Sequence, residues 1–123
     1  MNRIPFALLS PLLLFAGFAG GARAATRTWS GAVSSDWFDA GNWAESAVPV
    51  AGDDVTIGTG TALLTADTPE LASLSLTGTL VFTNWNTTLS ATNVVIASGG
   101  VMTCAGPFTD AQMSNNVFVV CSN

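Results

Sequence analysis

The sequence predicts an all-β fold: the first coils of a right-handed parallel β-helix behind an N-terminal tryptophan-rich cap. Three observations carry this. Short apolar runs recur at a coil-like step, Val55-Thr56-Ile57, Leu74-Ser75-Leu76 and Val94-Val95-Ile96, their starts 19 and 20 residues apart. Each leads through glycine into a second run, Ala62-Leu63-Leu64, Leu80-Val81-Phe82 and Val101-Met102. Within a unit the residues alternate: Leu74, Leu76, Leu80 and Phe82 take one parity and Ser73, Ser75, Thr77 and Thr79 the other, so one face is buried and one is wet. A small antiparallel β-sandwich is the alternative, because turns spaced by roughly 8 to 12 residues also fit it. Recurrence of the apolar runs and glycines in register favours stacked coils.

The first element is not part of the fold. Met1-Asn2-Arg3 is a short basic start, Ile4 to Ala19 is apolar, and Ala22-Arg23-Ala24 has the form of a signal-peptidase site. The apolar run is interrupted by Pro5 and Pro11 and falls short of the roughly 20 residues that a membrane span requires. Residues 1–24 are expected to be a cleaved secretory signal, leaving a secreted or cell-surface chain with no membrane span.

From residue 25 onward the chain holds one base, Arg27, against eight acids, a net charge of −7. Nucleic acid and anionic lipid are poor partners for such a surface. Fifteen threonines and ten serines over the same stretch suit strands and solvated turns.

Residues 25–54 are expected to form the cap. Trp29, Trp37 and Trp43 fall close together among Gly, Ser and Asp, and their rings can be buried over the first open coil while Asp and Asn hold the turns. Residues 55–123 carry the coils, with a fourth start at Val117-Phe118-Val119, 23 residues beyond Val94. Only Thr68 to Ala72 and Asp110 to Ser114 allow a helical turn, the first with Thr68 as its cap and Pro69 in the first position. The strand-like run Val117 to Cys121 lacks the polar cap that a solenoid end normally carries, so the expectation is the front of a longer protein or a truncated product.

Several chemistries are excluded by absence. The chain has no histidine and no lysine, so it can build neither a Ser-His-Asp nor a Cys-His pair, and it lacks the usual cationic stabilisers of oxyanions. Asp53 and Asp54 are adjacent and point to opposite faces of a strand, which makes them a poor acid-base dyad. No catalytic residue is assigned and the chain is not expected to be an enzyme.

Asp36, Asp39, Asp53 and Asp54 are hard oxygen donors of the kind calcium takes, but no EF-hand or nonapeptide calcium repeat is present. Turn-forming and solubilising roles account for them, and no cofactor is expected, calcium being the one candidate. Cys104 and Cys121 are an even pair in an exported chain, and either a disulfide or two reduced core thiols fits them. Trp85 stands apart from the other tryptophans. Thr83-Asn84-Trp85-Asn86-Thr87-Thr88 is polar except for the ring and reads as a loop tip, so Trp85 is the candidate ligand-binding residue, for a polysaccharide or another cell-surface component.

The tryptophan block resembles the N-terminal segment of secreted bacterial surface proteins with β-helical repeats, the autotransporter-like adhesins and related exported proteins. The matching positions are Trp29-Ser30-Gly31, Asp36-Trp37, Asn42-Trp43, Pro49, and Asp53 or Asp54 with Val55 and Ile57. The resemblance implies an exported structural or adhesive surface element and supplies no catalytic residue. Such proteins usually run to many coils, whereas this chain stops near the fourth. Two other functions fit the same residues: a carbohydrate-binding module, and the leading piece of a β-helical polysaccharide-degrading enzyme.

Overall fold

The computed structural model describes residues 24–106, 109–110 and 117–122. All but Ala24 of the expected secretory signal, and most of Asp110 to Ser114, lie outside these residues. Eight strands are present among them: β1 (Thr26–Thr28), β2 (Asp54–Ile57), β3 (Thr61–Leu64), β4 (Leu71–Leu76), β5 (Thr79–Phe82), β6 (Thr87–Ile96), β7 (Val101–Cys104) and β8 (Val117–Cys121). A 3-10 turn spans Ala40–Asn42.

The strands form two sheets, β1-β2-β4-β6-β8 and β3-β5-β7. Every ladder between them is parallel, which sets the antiparallel sandwich aside. Val55 pairs with Leu74 and Leu74 with Val94, the 19- and 20-residue steps read from the apolar runs. In the second sheet Ala62 pairs with Leu80 and Leu80 with Met102. Like side chains therefore stack on like, and Val55, Ile57, Ala62, Leu64, Leu74, Leu76, Leu80 and Phe82 close a dry interior between the sheets.

Two local expectations are corrected. Val117 pairs with Thr87 and Val119 with Leu89, so the last step is 30 residues rather than 23. The reason lies in β6, a ten-residue strand whose first half already turns Leu89 and Ala91 inward. β8 extends that half, and Val117 packs against the core. Thr68 to Glu70 forms no helical turn and runs without regular structure into β4. Thr68 is buried and spans to the next coil instead: its N–H donates to the Thr88 carbonyl at 3.0 Å, and its hydroxyl accepts the Ser90 N–H at 2.9 Å. A threonine that satisfies backbone groups of the neighbouring strand gains more there than as the cap of a single isolated turn.

Gly78 and Gly100 permit close approach of successive strand pairs. A Cβ on Gly100 would overlap the Leu76 carbonyl oxygen and lie 3.0 Å from Ile96 Cγ2. Backbone cannot retreat here without breaking the Ala97 N–H to Leu76 carbonyl bond, 2.9 Å long. Gly100→Ala is expected to lower stability by about 2 kcal/mol in urea denaturation, an overpacking effect. An unchanged midpoint would show that the successive strand pairs are spaced more loosely than this.

Candidate functional site

The tryptophan segment is folded onto the start of both sheets. β1 pairs with β2, and the Trp29 N–H continues that ladder by donating to the Thr56 carbonyl at 2.8 Å. On the second sheet Leu63 donates to the Ser35 carbonyl at 2.7 Å and accepts from the Trp37 N–H at 3.1 Å. The free edges of β2 and β3 are thus both occupied. The rings of Trp29, Trp37 and Trp43 are all buried. Trp43 stands between the other two, its centroid 5.0 Å from each and its plane tilted 78° to both, the edge-to-face geometry that aromatic quadrupoles favour. Its indole N–H donates to the Trp37 carbonyl at 2.8 Å.

Asn42 organises the loop around these rings. Its side chain is fully buried; Oδ1 accepts the N–H groups of Val33 and Ser34 at 2.9 and 2.7 Å, and Nδ2 donates to Ser34 Oγ and the Asp36 carbonyl at 2.8 and 2.9 Å. All four valences of the amide are used, which only Asn can do at this length. The Asp39 side chain accepts the Gly41 N–H, and the 3-10 turn that follows presents Asn42 inward.

Arg27 and Asp53 tie the segment down. Arg27 pairs with the inward-facing Val55 and so shares its face, where the guanidinium Nε donates to Asp53 Oδ2 at 2.8 Å. Asp53 also accepts the N–H groups of Ala25 and Val50 at 3.1 and 3.0 Å. Burial alone would raise its pKa, but the Arg27 guanidinium and the two backbone donors outweigh it and hold the carboxyl below the ordinary aspartate value. Glu45, exposed at the edge of β1, accepts the Thr28 N–H at 2.8 Å, and that bond lowers its pKa as well.

The aspartates singled out for calcium have separate duties. Asp36 accepts the Phe38 N–H, Asp39 the Gly41 N–H, and Asp54 the hydroxyl of Ser73. Among the described residues no three His, Cys, Asp or Glu side chains come together as a metal site. Cys104 and Cys121 are free thiols on different sheets, the first half-buried and the second exposed.

Trp85 is the one tryptophan that is not buried. It lies on the turn between β5 and β6, whose shape is set by Asn84. Asn84 Oδ1 accepts the Trp85 N–H, Asn84 Nδ2 donates to the Thr65 carbonyl, and the Asn84 carbonyl accepts the Thr87 hydroxyl. Asn86 closes the turn with φ of 59°, a left-handed conformation that Asn tolerates.

At the far end, Phe82, Met102, Thr103, Cys104, Val117 and Val119 line a mostly apolar hollow of about 240 Å³ between β7 and β8. A model of the G8 domain matches residues 42–119. The chain belongs to the G8 domain family. No curated protein and no solved structure matches it. The G8 match begins at Asn42, the hub of the tryptophan loop, and runs through β8 as far as Val119, so it takes in both sheets and leaves β1, Trp29 and Trp37 before it. A G8 domain is an extracellular-type domain, and among the described residues no helix is long and apolar enough to cross a membrane.

Proposed function

We propose that this G8 domain is an exported architectural element: the cap and first coils of a right-handed parallel β-helix, with a structural or adhesive role at the cell surface and no catalytic role of its own. The observation that supports it most is the cover over the first strands: β1 and Ser35 to Trp37 occupy the edges of β2 and β3 over three buried tryptophans. A covered first edge is what the start of a stack of parallel coils requires. The handedness follows the general rule for parallel crossovers. In the native host, deleting the gene is expected to weaken attachment or envelope integrity and to leave extracellular polysaccharide hydrolysis unchanged. Lost hydrolysis with normal attachment would reject the architectural reading.

Trp85 favours a second reading, carbohydrate binding, because its half-buried ring lies on a polar turn outside the core and an indole face can stack on a pyranose. Under it, soluble polysaccharides quench tryptophan fluorescence, and Trp85→Ala removes the quench while circular dichroism stays native. Silence across a broad glycan panel would eliminate it.

A further inference from the structure

We propose that cleavage between Ala24 and Ala25 supplies a structural cation: the new α-ammonium of Ala25 pairs with buried Asp53 and fastens β1 along the edge of β2. The inference rests on the export part of the reading above, and adds to it a processing site whose product the fold uses.

Sequence and hydrogen bonding meet at one residue. Ala22-Arg23-Ala24 has the form of a signal-peptidase site, which places the new N-terminus at Ala25. Ala25 is held by both of its backbone groups: its N–H donates to Asp53 Oδ1 at 3.1 Å, and its carbonyl accepts the Asp54 N–H at 2.8 Å. Ala24 is exposed and Ala25 half-buried, so the bond to be cut lies where the chain passes from solvent into the sheet. Hydrolysis by an endopeptidase of the signal-peptidase class consumes one water. Ala24 departs with the new carboxylate, and the Ala25 nitrogen becomes an amine that takes up a proton at neutral pH. That nitrogen already aims a hydrogen at Asp53, so the ion pair forms without rearrangement.

Charge distinguishes the cut chain from the uncut one. Asp53 Oδ2 accepts from Arg27 Nε at 2.8 Å and from the Val50 N–H at 3.0 Å, while Oδ1 accepts from Ala25. The two cations therefore take different oxygens of one carboxylate and do not compete. Acids also outnumber bases around β1: Asp53 and Asp54 lie together at the start of β2, and Glu45 accepts the Thr28 N–H, against Arg27 alone. A second cation is what this corner lacks. Before cleavage the Ala25 nitrogen is an uncharged amide, and a charge-assisted hydrogen bond is roughly twice as strong as a neutral one. β1 is thus held more firmly once the leader has been removed, which couples closure of the β2 edge to export.

The intact mass of the protein secreted from the full chain is expected to match a chain that begins at Ala25. The sequence contains no lysine, so the Ala25 α-amine is then the only primary amine, and a succinimidyl ester reports on it alone. Acylation of the folded protein at neutral pH is expected to be about tenfold slower than in guanidinium chloride, because pairing with a carboxylate holds the amine protonated. Inserting Gly-Ser between Ala24 and Ala25 keeps the amide hydrogen bond and moves the ammonium roughly 7 Å along the chain. This variant is expected to label at the denatured rate, and its folded-to-unfolded ratio in urea titration should fall about fivefold. Acylation as fast in the native as in the denatured protein, or an insertion that leaves the urea midpoint unchanged, overturns the pairing while leaving export and the architectural reading in place. A mature chain that begins at another residue overturns it too, and an uncleaved secreted chain removes the leader reading with it.

Discussion

Arg27→Ala is expected to lower stability at neutral pH by about 3 kcal/mol and to flatten the loss of stability on acidification that Asp53 contributes. Asp53 is 3% exposed at its side chain and Arg27 is 17% exposed, so removing the guanidinium strands a carboxylate out of reach of water. Breaking a fully buried pair costs about 3 to 5 kcal/mol. The lower part of that range applies, because Asp53 keeps the N–H donors of Ala25 and Val50. The pH dependence has a definite sign. The pKa of Asp53 is depressed in the folded protein, so its contribution is fully present above the unfolded value, about 3.9, and is lost as pH falls through the folded one. Without Arg27 the folded pKa rises toward the unfolded one, so Asp53 contributes less acid dependence and the wild-type and variant stabilities converge as pH falls. Urea titrations of both proteins between neutral pH and about pH 3 read both effects. Asp53→Asn separates charge from packing: it should abolish most of the acid dependence that Asp53 contributes. Parallel pH curves for wild type and Arg27→Ala would show that the pair contributes nothing through ionisation.

How much of this could be read beforehand depends on the range of the interaction. The register of β2, β4 and β6 was legible because it rests on alternation and on glycine placement, both local properties of the chain. β8 was misplaced for a related reason: Val117 to Val119 has the same apolar look as Val94 to Ile96, and composition does not reveal that Leu89 and Ala91 had opened a second inward half of β6. Arg27 and Asp53 are 26 residues apart and meet only because the β1-β2 ladder sets Arg27 on the face of Val55. A lone base among eight acids, at the inward parity of a short strand, was the available signal. Asn42 stands in the sequence as part of an Asn-Trp pair, but its role as a four-bond hub depends on a 3-10 turn that aims it inward. At Thr68 a Thr-Pro step has a ready local meaning as a helix cap, whereas its actual partners Thr88 and Ser90 belong to β6.

The largest single loss is expected for Trp43→Ala, about 4 kcal/mol. Truncating a buried tryptophan removes its transfer energy and leaves a void, together costing about 3 to 5 kcal/mol. Trp43 additionally supports both neighbouring rings and donates to the Trp37 carbonyl. The global figure alone does not distinguish a cap from ordinary core, so location supplies the discriminating measurement. Leu63 donates to Ser35, and Thr56 accepts from Trp29; both bonds exist only while the tryptophan segment lies over the sheet edges. In Trp43→Ala, hydrogen exchange at the Leu63 amide should accelerate far more than at Leu76 or Leu80, deeper in the stack. Leu89→Ala, a core truncation in β6, is the control: it should destabilise the domain without singling out Leu63. Equal acceleration everywhere in Trp43→Ala would mean that segment and coils unfold as one unit, and that the three tryptophans are simply the densest part of a shared core. Selective opening at Leu63, with the remaining ladder still protected, is what a separable cover over the first coil requires.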